Sequence, residues 1–250
     1  MAYRLLFGLW CISVALSGCG PSISMQERQQ KADVQYKLGV AEFNRGGLAD
    51  AMVAFQKALE YYPDAKTHNA LGLIYLEQRK YQDAMAAFKK AFQLDPSFLD
   101  PLNNLGTTYA RMGEWDKAIT EYQKVLSDPL YRTPELAHYN LGLALMEKGD
   151  DINAVKQFHK AIQMRPNFVQ ALDKYGIALY RMNRNQDAIK RFKQVIELNP
   201  DFIESYLNLG MVYMKLGQTA EAISQFKYVL EHSTQENLSV DAARYLDMLE

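Results

Sequence analysis

The sequence predicts an all-α solenoid of paired helices, and three regularities carry that expectation. Glycine returns at 39, 72, 106, 142, 176 and 210, so successive intervals are 33, 34, 36, 34 and 34 residues. Twelve residues after each glycine stands alanine: Ala51, Ala84, Ala118, Ala154, Ala188 and Ala222. Sixteen residues after it stands an aromatic: Phe55, Phe88, Tyr122, Phe158, Phe192 and Phe226. Such a period suits a helix, a turn and a second helix. Glycine and alanine at facing positions let two backbones approach, while the aromatic fills the gap to the next hairpin.

Within each copy the first helix runs around the repeat glycine, and a turn follows seven residues later. Gly46, Gly113, Gly149, Gly217 and Asn183 occupy that turn, residue types that accept the left-handed conformation at a helix C-terminus. Arg79 is the exception. The second helix carries another small or β-branched residue nineteen positions after the glycine, at Ala58, Ala91, Val125, Ala161, Val195 and Val229. Pro63, Pro96, Pro166 and Pro200 then block its continuation. Asp100-Pro101 and Thr133-Pro134 read as an N-cap followed by proline at the first helical position. Beyond the sixth copy, Leu238, Val240, Tyr245, Leu246 and Leu249 suit a capping helix within residues 233–250, with a partner-binding tail as the alternative.

Leucine precedes the glycine in five copies (Leu38, Leu71, Leu105, Leu141 and Leu209), with Tyr175 in the other. Together these residues resemble the tetratricopeptide repeat (TPR) family over residues 32–232. The resemblance implies a right-handed superhelical solenoid of six helix-turn-helix repeats, in which each repeat touches only its neighbours. The first copy departs from the pattern, with Glu42 where tyrosine or leucine is usual.

Arg4 precedes an apolar run from Leu5 to Leu16, closed by Leu16-Ser17-Gly18-Cys19. Twelve apolar residues are too few to span a bilayer, which takes about twenty, so residues 1–18 read as a secretory signal. The last four residues resemble the lipobox of bacterial lipoproteins, which implies cleavage before Cys19 and a diacylglycerol on its thiol. The plainer reading is a cleaved signal peptide that happens to contain a cysteine. Of the two cysteines, Cys11 lies in the discarded run, leaving Cys19 as a single thiol with no internal disulfide partner. Several acyl chains would hold the protein on the membrane, at about 0.8 kcal/mol per buried methylene. By the same resemblance, Gly20 in place of aspartate favours the outer membrane, periplasmic face. Residues 19–31 form a short polar tether that keeps the repeats close to the bilayer.

The formal net charge of −1, with acidic and basic residues interspersed, argues against nucleic acid. The histidines are dispersed: His68 and His138 share one slot of the first helix and read as half-buried packing residues, while His159 and His232 stand alone. Metal-ligand spacing, a phosphate loop and a nucleophile elbow are all missing from the sequence. The expectation is a binding protein: no enzyme, no small-molecule substrate, and no cofactor beyond the covalent lipid.

In the TPR family the first helices line the concave face. Carried over residue by residue, the groove positions here are Val40, Leu73, Thr107, Leu143, Ile177 and Met211. One turn further come Phe43, Leu76, Ala110, Met146, Tyr180 and Met214. No copy has asparagine at the first position, which argues against the carboxylate clamp of TPR co-chaperones. A mostly apolar trough suits an amphipathic helix or an extended apolar segment, and some of these side chains read equally as inter-repeat core. Four buried partner side chains would contribute about 6 to 12 kcal/mol, against an association cost of about 4 to 15.

The third interval is two residues longer, and the extra length falls in Ser127-Asp128-Pro129-Leu130-Tyr131-Arg132-Thr133-Pro134. Asn103-Asn104-Leu105-Gly106 and Asn140-Leu141-Gly142 flank it. Six TPR units, a lipobox and this connection resemble the secretin pilotins of type IV pilus systems, the PilF/PilW/Tgl-like lipoproteins. That resemblance implies a protein partner, secretin subunits, whose insertion and multimerisation in the outer membrane the chain would promote. Leu130 and Tyr131 become secondary contact candidates if the connection is an exposed loop; a mere spacer is the alternative. A generic outer-membrane TPR scaffold, or a subunit regulating an enzyme complex, would carry the same repeats and anchor.

Overall fold

The computed structural model describes residues 23–249, so the signal segment, Cys19 and Gly20 lie outside the described residues. Among the described residues the helices are α1 (Met25–Asn44), α2 (Leu48–Tyr61), α3 (Ala65–Glu77), α4 (Tyr81–Leu94), α5 (Asp100–Arg111), α6 (Trp115–Leu126), α7 (Pro134–Glu147), α8 (Asp151–Met164), α9 (Val169–Arg181), α10 (Asn185–Leu198), α11 (Ile203–Lys215), α12 (Thr219–His232) and α13 (Glu236–Asp247). The first twelve form six hairpins in chain order, one per glycine repeat. Each hairpin packs on the one before and the one after, which is the expected solenoid.

Each hairpin closes around its glycine. A Cβ on Gly142 would stand 2.6 Å from Phe158 Cε1, and one on Gly176 would stand 2.6 Å from Phe192 Cε1. The aromatic wedges against its own hairpin's glycine and also packs on the next hairpin, Phe55 clustering with Leu71 and Ile74 and Tyr122 with Leu141 and Ala144, as expected. Only a residue without Cβ leaves space for that ring at close-packed density. Phe55, Phe88, Tyr122, Phe158, Phe192 and Phe226 are almost completely buried.

The turns share one hydrogen-bond pattern. After α1, the Gly46 N–H donates to the Phe43 carbonyl at 3.0 Å and the Gly47 N–H to the Glu42 carbonyl at 2.9 Å. After α3, the Arg79 and Lys80 N–H groups repeat it on Leu76 and Tyr75, at 3.0 and 2.8 Å. Arg79 accordingly adopts a φ of 58°, beside 59° at Asn183 and 76° at Gly113. The one copy without glycine or asparagine makes the same turn, under backbone strain that a Cβ imposes in the left-handed region.

Successive first helices α3, α5, α7, α9 and α11 touch one another directly, whereas no comparable line of contacts joins the second helices. Closer approach on one side sets that side as the inner wall of the curve, so the first helices line the concavity. At the C-terminal end α13 lies on α12 and α11, burying Leu238, Ala242 and Leu246 and stacking Tyr245 on Phe226 at 5.2 Å. It covers the end of the solenoid.

At the other end, helix begins at Met25, inside the segment read as a polar tether. Ser24 caps it, its hydroxyl accepting from the Glu27 N–H at 3.2 Å, and Lys31 pairs with Glu27 at 3.0 Å one turn on. Polar residues that satisfy a helix terminus and pair along one face make a helix rather than an extended linker. Glu42, the anomaly of the first copy, pairs with Arg45 at 2.8 Å.

Candidate protein-binding groove

The groove positions divide by depth. Val40, Phe43, Leu73, Thr107, Ala110, Leu143, Ile177, Tyr180, Met211 and Met214 are half-buried, while Leu76 is 3% and Met146 5% exposed. These last two are core residues, which corrects their assignment to the groove. Leu76 packs with Ala84, Met85, Phe88 and Leu105, and Met146 lies in the cluster of Ala154, Phe158 and Leu179. The same position is half-buried at Phe43, Ala110, Tyr180 and Met214 and buried at Leu76 and Met146.

The third copy breaks the apolar wall. Where other copies carry Val, Leu, Ile or Met and then Phe, Leu, Met or Tyr, it carries Thr107 and Ala110. The small side chains leave a hollow of about 320 Å³ between α5 and α7, with Trp115 and Tyr122 of α6 beneath and Leu143, Asn140 and Glu147 along its far side. The Tyr122 hydroxyl lies 3.2 Å from Thr107 Oγ1. Burial pushes the Tyr122 phenol up to about 12, the Thr107 hydrogen bond opposing the shift.

A polar ladder joins the first helices. Asn104 Nδ2 donates to Asn69 Oδ1 at 2.9 Å, and Asn140 Nδ2 to Asn103 Oδ1 at 3.3 Å. Further along, Asp173 Oδ1 accepts from Ser205 Oγ at 2.7 Å and Asn208 Nδ2 at 3.1 Å, while Asp173 Oδ2 stands 3.2 Å from Lys174 Nζ. Asp173 is fully buried. A buried carboxylate is tolerable only with such partners. Sequence reasoning passed over this ladder, although its signal is an amide or carboxylate two or three residues before the repeat glycine. Arg111 and Arg181, at equivalent positions, donate to the Leu76 and Met146 carbonyls at 3.3 and 3.2 Å, each closing the end of the preceding first helix.

The longer connection, residues 127–133, splits its two candidates. Leu130 is 85% exposed. Tyr131 folds inward, its hydroxyl donating to Asp100 Oδ1 at 3.1 Å and its ring packing against the cluster of Leu102, Val125 and Ala137. Burial first, and the Asp100 carboxylate as well, push its phenol up to about 12. Tyr131 is thus a packing residue, not an exposed contact, because an aromatic on a seven-residue connection reaches the joint it spans.

His138 is buried, with Nδ1 2.8 Å from Gln157 Oε1, and burial holds its pKa below the usual histidine range. His68 is half-buried and shifted the same way, by burial and then by Lys90. His159 meets the Tyr175 ring edge-on at 6.2 Å, and His232 stacks on Tyr228 at 4.0 Å.

The concave wall of stacked first helices decides the family together with the repeat comparisons. Tetratricopeptide repeat profiles match residues 33–65, 65–98, 87–120, 135–168 and 204–232, and a TPR repeat profile matches 176–217. The chain is a tetratricopeptide repeat protein. Among curated TPR relatives, the type IV pilus assembly protein PilF of Pseudomonas aeruginosa is 25% identical over 166 residues. That stretch is 64% of this chain and 66% of the relative, just under two thirds of its length. The solved structure of Pseudomonas aeruginosa PilF superposes with a TM-score of 0.78 at 20% identity, over 88% of this chain and 99% of that one. PilW, described as a widely conserved type IV pilus biogenesis factor, gives 0.78 at 19%, over 84% and 98%. At those identities the two structures speak for the TPR solenoid. The sequence similarity relates the chain to type IV pilus biogenesis proteins, and the TPR fold is that of a protein-interaction scaffold.

Proposed function

We propose that this chain is a secretin pilotin: a lipoprotein on the periplasmic face of the outer membrane that binds secretin subunits in its groove. By holding them there it promotes their insertion and multimerisation into the pilus pore. The observation that carries the reading is the 25% identity to PilF over 166 residues, joined to the lipobox-like Leu16-Ser17-Gly18-Cys19. A groove wall of half-buried Leu143, Ile177 and Met211 supplies the apolar surface such a partner needs. No catalytic chemistry and no cofactor are required of it.

The anchor and the groove act together. With helix starting at Met25, only residues 19–24 can extend between lipid and solenoid, at most about 20 Å. A groove held that near the bilayer meets a membrane-bound partner at raised effective concentration, so modest intrinsic affinity suffices.

Two measurements test the reading. Metabolic labelling with radioactive palmitate should mark the wild-type chain in outer-membrane fractions and should not mark Cys19→Ala. Purified secretin subunits should co-sediment with the chain, and Met211→Glu should abolish this while retaining the helical melting profile. Full binding by Met211→Glu, or unlabelled wild type, would count against the groove and the anchor respectively.

A further inference from the structure

We propose that the hollow between α5 and α7 is a specificity pocket for one bulky apolar side chain, on a partner segment that is extended and carries a lysine or arginine next to that side chain. The inference rests on the groove reading above and deepens it by naming what the groove recognises.

Size points to a single side chain. Ligand pockets for whole small molecules begin at about 300 Å³, and this open hollow, about 320 Å³, sits at that floor. It exists only because Thr107 and Ala110 are small where the other copies carry larger residues. Its lining is mixed as a specificity site is, with the Trp115 indole, the Tyr122 ring and Leu143 as apolar walls and the Tyr122 hydroxyl already engaged with Thr107.

Charge points to the neighbour. Two charged residues line the hollow, Arg111 and Glu147. Arg111 is committed to Glu77 at 3.1 Å and to the Leu76 carbonyl. Among the described residues Glu147 forms no ion pair, so the charge on offer at the pocket is negative and its complement is a cation.

Amide chemistry points to an extended backbone. Asn140 lines the hollow and donates one hydrogen bond to Asn103, while Asn104 donates one to Asn69. A carboxamide has two donors and an acceptor with two lone pairs, so each rung keeps capacity for a peptide N–H or C=O. A helix satisfies its own backbone and cannot use that capacity; an extended segment must find it.

The test is a titration of the mature chain, in detergent, with the peptide Gly-Ser-Phe-Lys-Ser-Gly, read by Trp115 fluorescence. The proposed cleavage before Cys19 removes Trp10, so Trp115 is the reporter and Trp115→Phe serves as the blank. Saturable binding is expected, weakened about tenfold by replacing the peptide's phenylalanine with serine and several-fold by replacing its lysine with glutamate. Ala110→Met, a residue the fourth and sixth copies already carry there, should fill the hollow and weaken binding about tenfold with an unchanged melting temperature. Glu147→Lys should reverse the preference between the lysine and glutamate peptides. Undetectable binding, equal binding of the serine peptide, or unaltered binding by Ala110→Met overturns the pocket. In host cells, Ala110→Met that retains secretin multimers when gene deletion loses them would defeat this pocket and leave the pilotin reading intact. Deletion without effect would defeat the pilotin reading while the peptide titration still decides the pocket.

Discussion

Tyr131 donates its hydroxyl to Asp100 at 3.1 Å, tying the longer connection to the start of α5 in the preceding hairpin. Next to it in sequence, Leu130 is 85% exposed. Two adjacent apolar residues thus have opposite fates, and their substitutions should separate. Tyr131→Ala should cost about 2 to 4 kcal/mol by removing a packed ring and its hydrogen bond, and Leu130→Ala should stay within about 0.5. Urea unfolding of both variants checks this; equal effects would mean the connection packs differently.

Gly142 and Phe158 give a second prediction. Gly142→Ala forces the ring away from its seat and should cost about 1 to 3 kcal/mol, well beyond the small gain that alanine has in an ordinary helix. Combining it with Phe158→Leu should cost less than the sum of the two single changes, a non-additivity that a double-mutant cycle measures.

Arg79 should respond in the opposite direction. Its φ of 58° carries a Cβ penalty that glycine escapes, so Arg79→Gly should stabilise the chain by up to about 1 kcal/mol. A lower midpoint in denaturant would contradict the strained turn.

The buried carboxylate of Asp173 predicts a hierarchy. Asp173→Ala leaves Ser205 and Asn208 without their acceptor and should cost about 3 kcal/mol, whereas Ser205→Ala, which removes one donor from a carboxylate that keeps others, should cost about 1. The order matters more than the sizes, and thermal melts of the two variants read it.

Alkaline pH should expose Tyr122. Its folded pKa, about 12, lies above the unfolded value near 10. The stabilisation is therefore complete below pH 10 and is lost as pH rises through 12, because the unfolded chain releases its proton first. Tyr122→Phe should be slightly less stable than wild type at pH 8, for want of the bond to Thr107. It should then gain on it between pH 10 and 12 by on the order of 2 kcal/mol. A difference constant across that range would show that the phenol ionises freely in the folded state.

Much of this fold is legible in the sequence because TPR hairpins demand specific residues at fixed offsets. Glycine must sit where Phe158 needs space, and proline marks where a second helix stops. The turn at Arg79 was less legible, since tertiary packing imposes the left-handed conformation there on a residue that does not favour it. In the groove, sequence offsets cannot tell the half-buried Leu143 and Met211 from the buried Leu76 and Met146. One helical face grades continuously from wall into joint, and burial depends on which neighbour stands opposite. The ladder through Asn103, Asn140 and Asp173 was readable in principle, but asparagine on a helix has many surface roles, and only its partner on the next helix reveals this one. The hollow at Ala110 is a missing side chain, visible only when the six copies are compared position by position.

Detergent-resistant secretin multimers in host outer membranes, compared with and without this gene, test the pilotin proposal most directly. Multimers should disappear and monomers remain when the gene is deleted, and the wild-type gene, but not Met211→Glu, should restore them. Unchanged multimers in the deletion strain would contradict the proposal and leave a TPR scaffold serving some other partner.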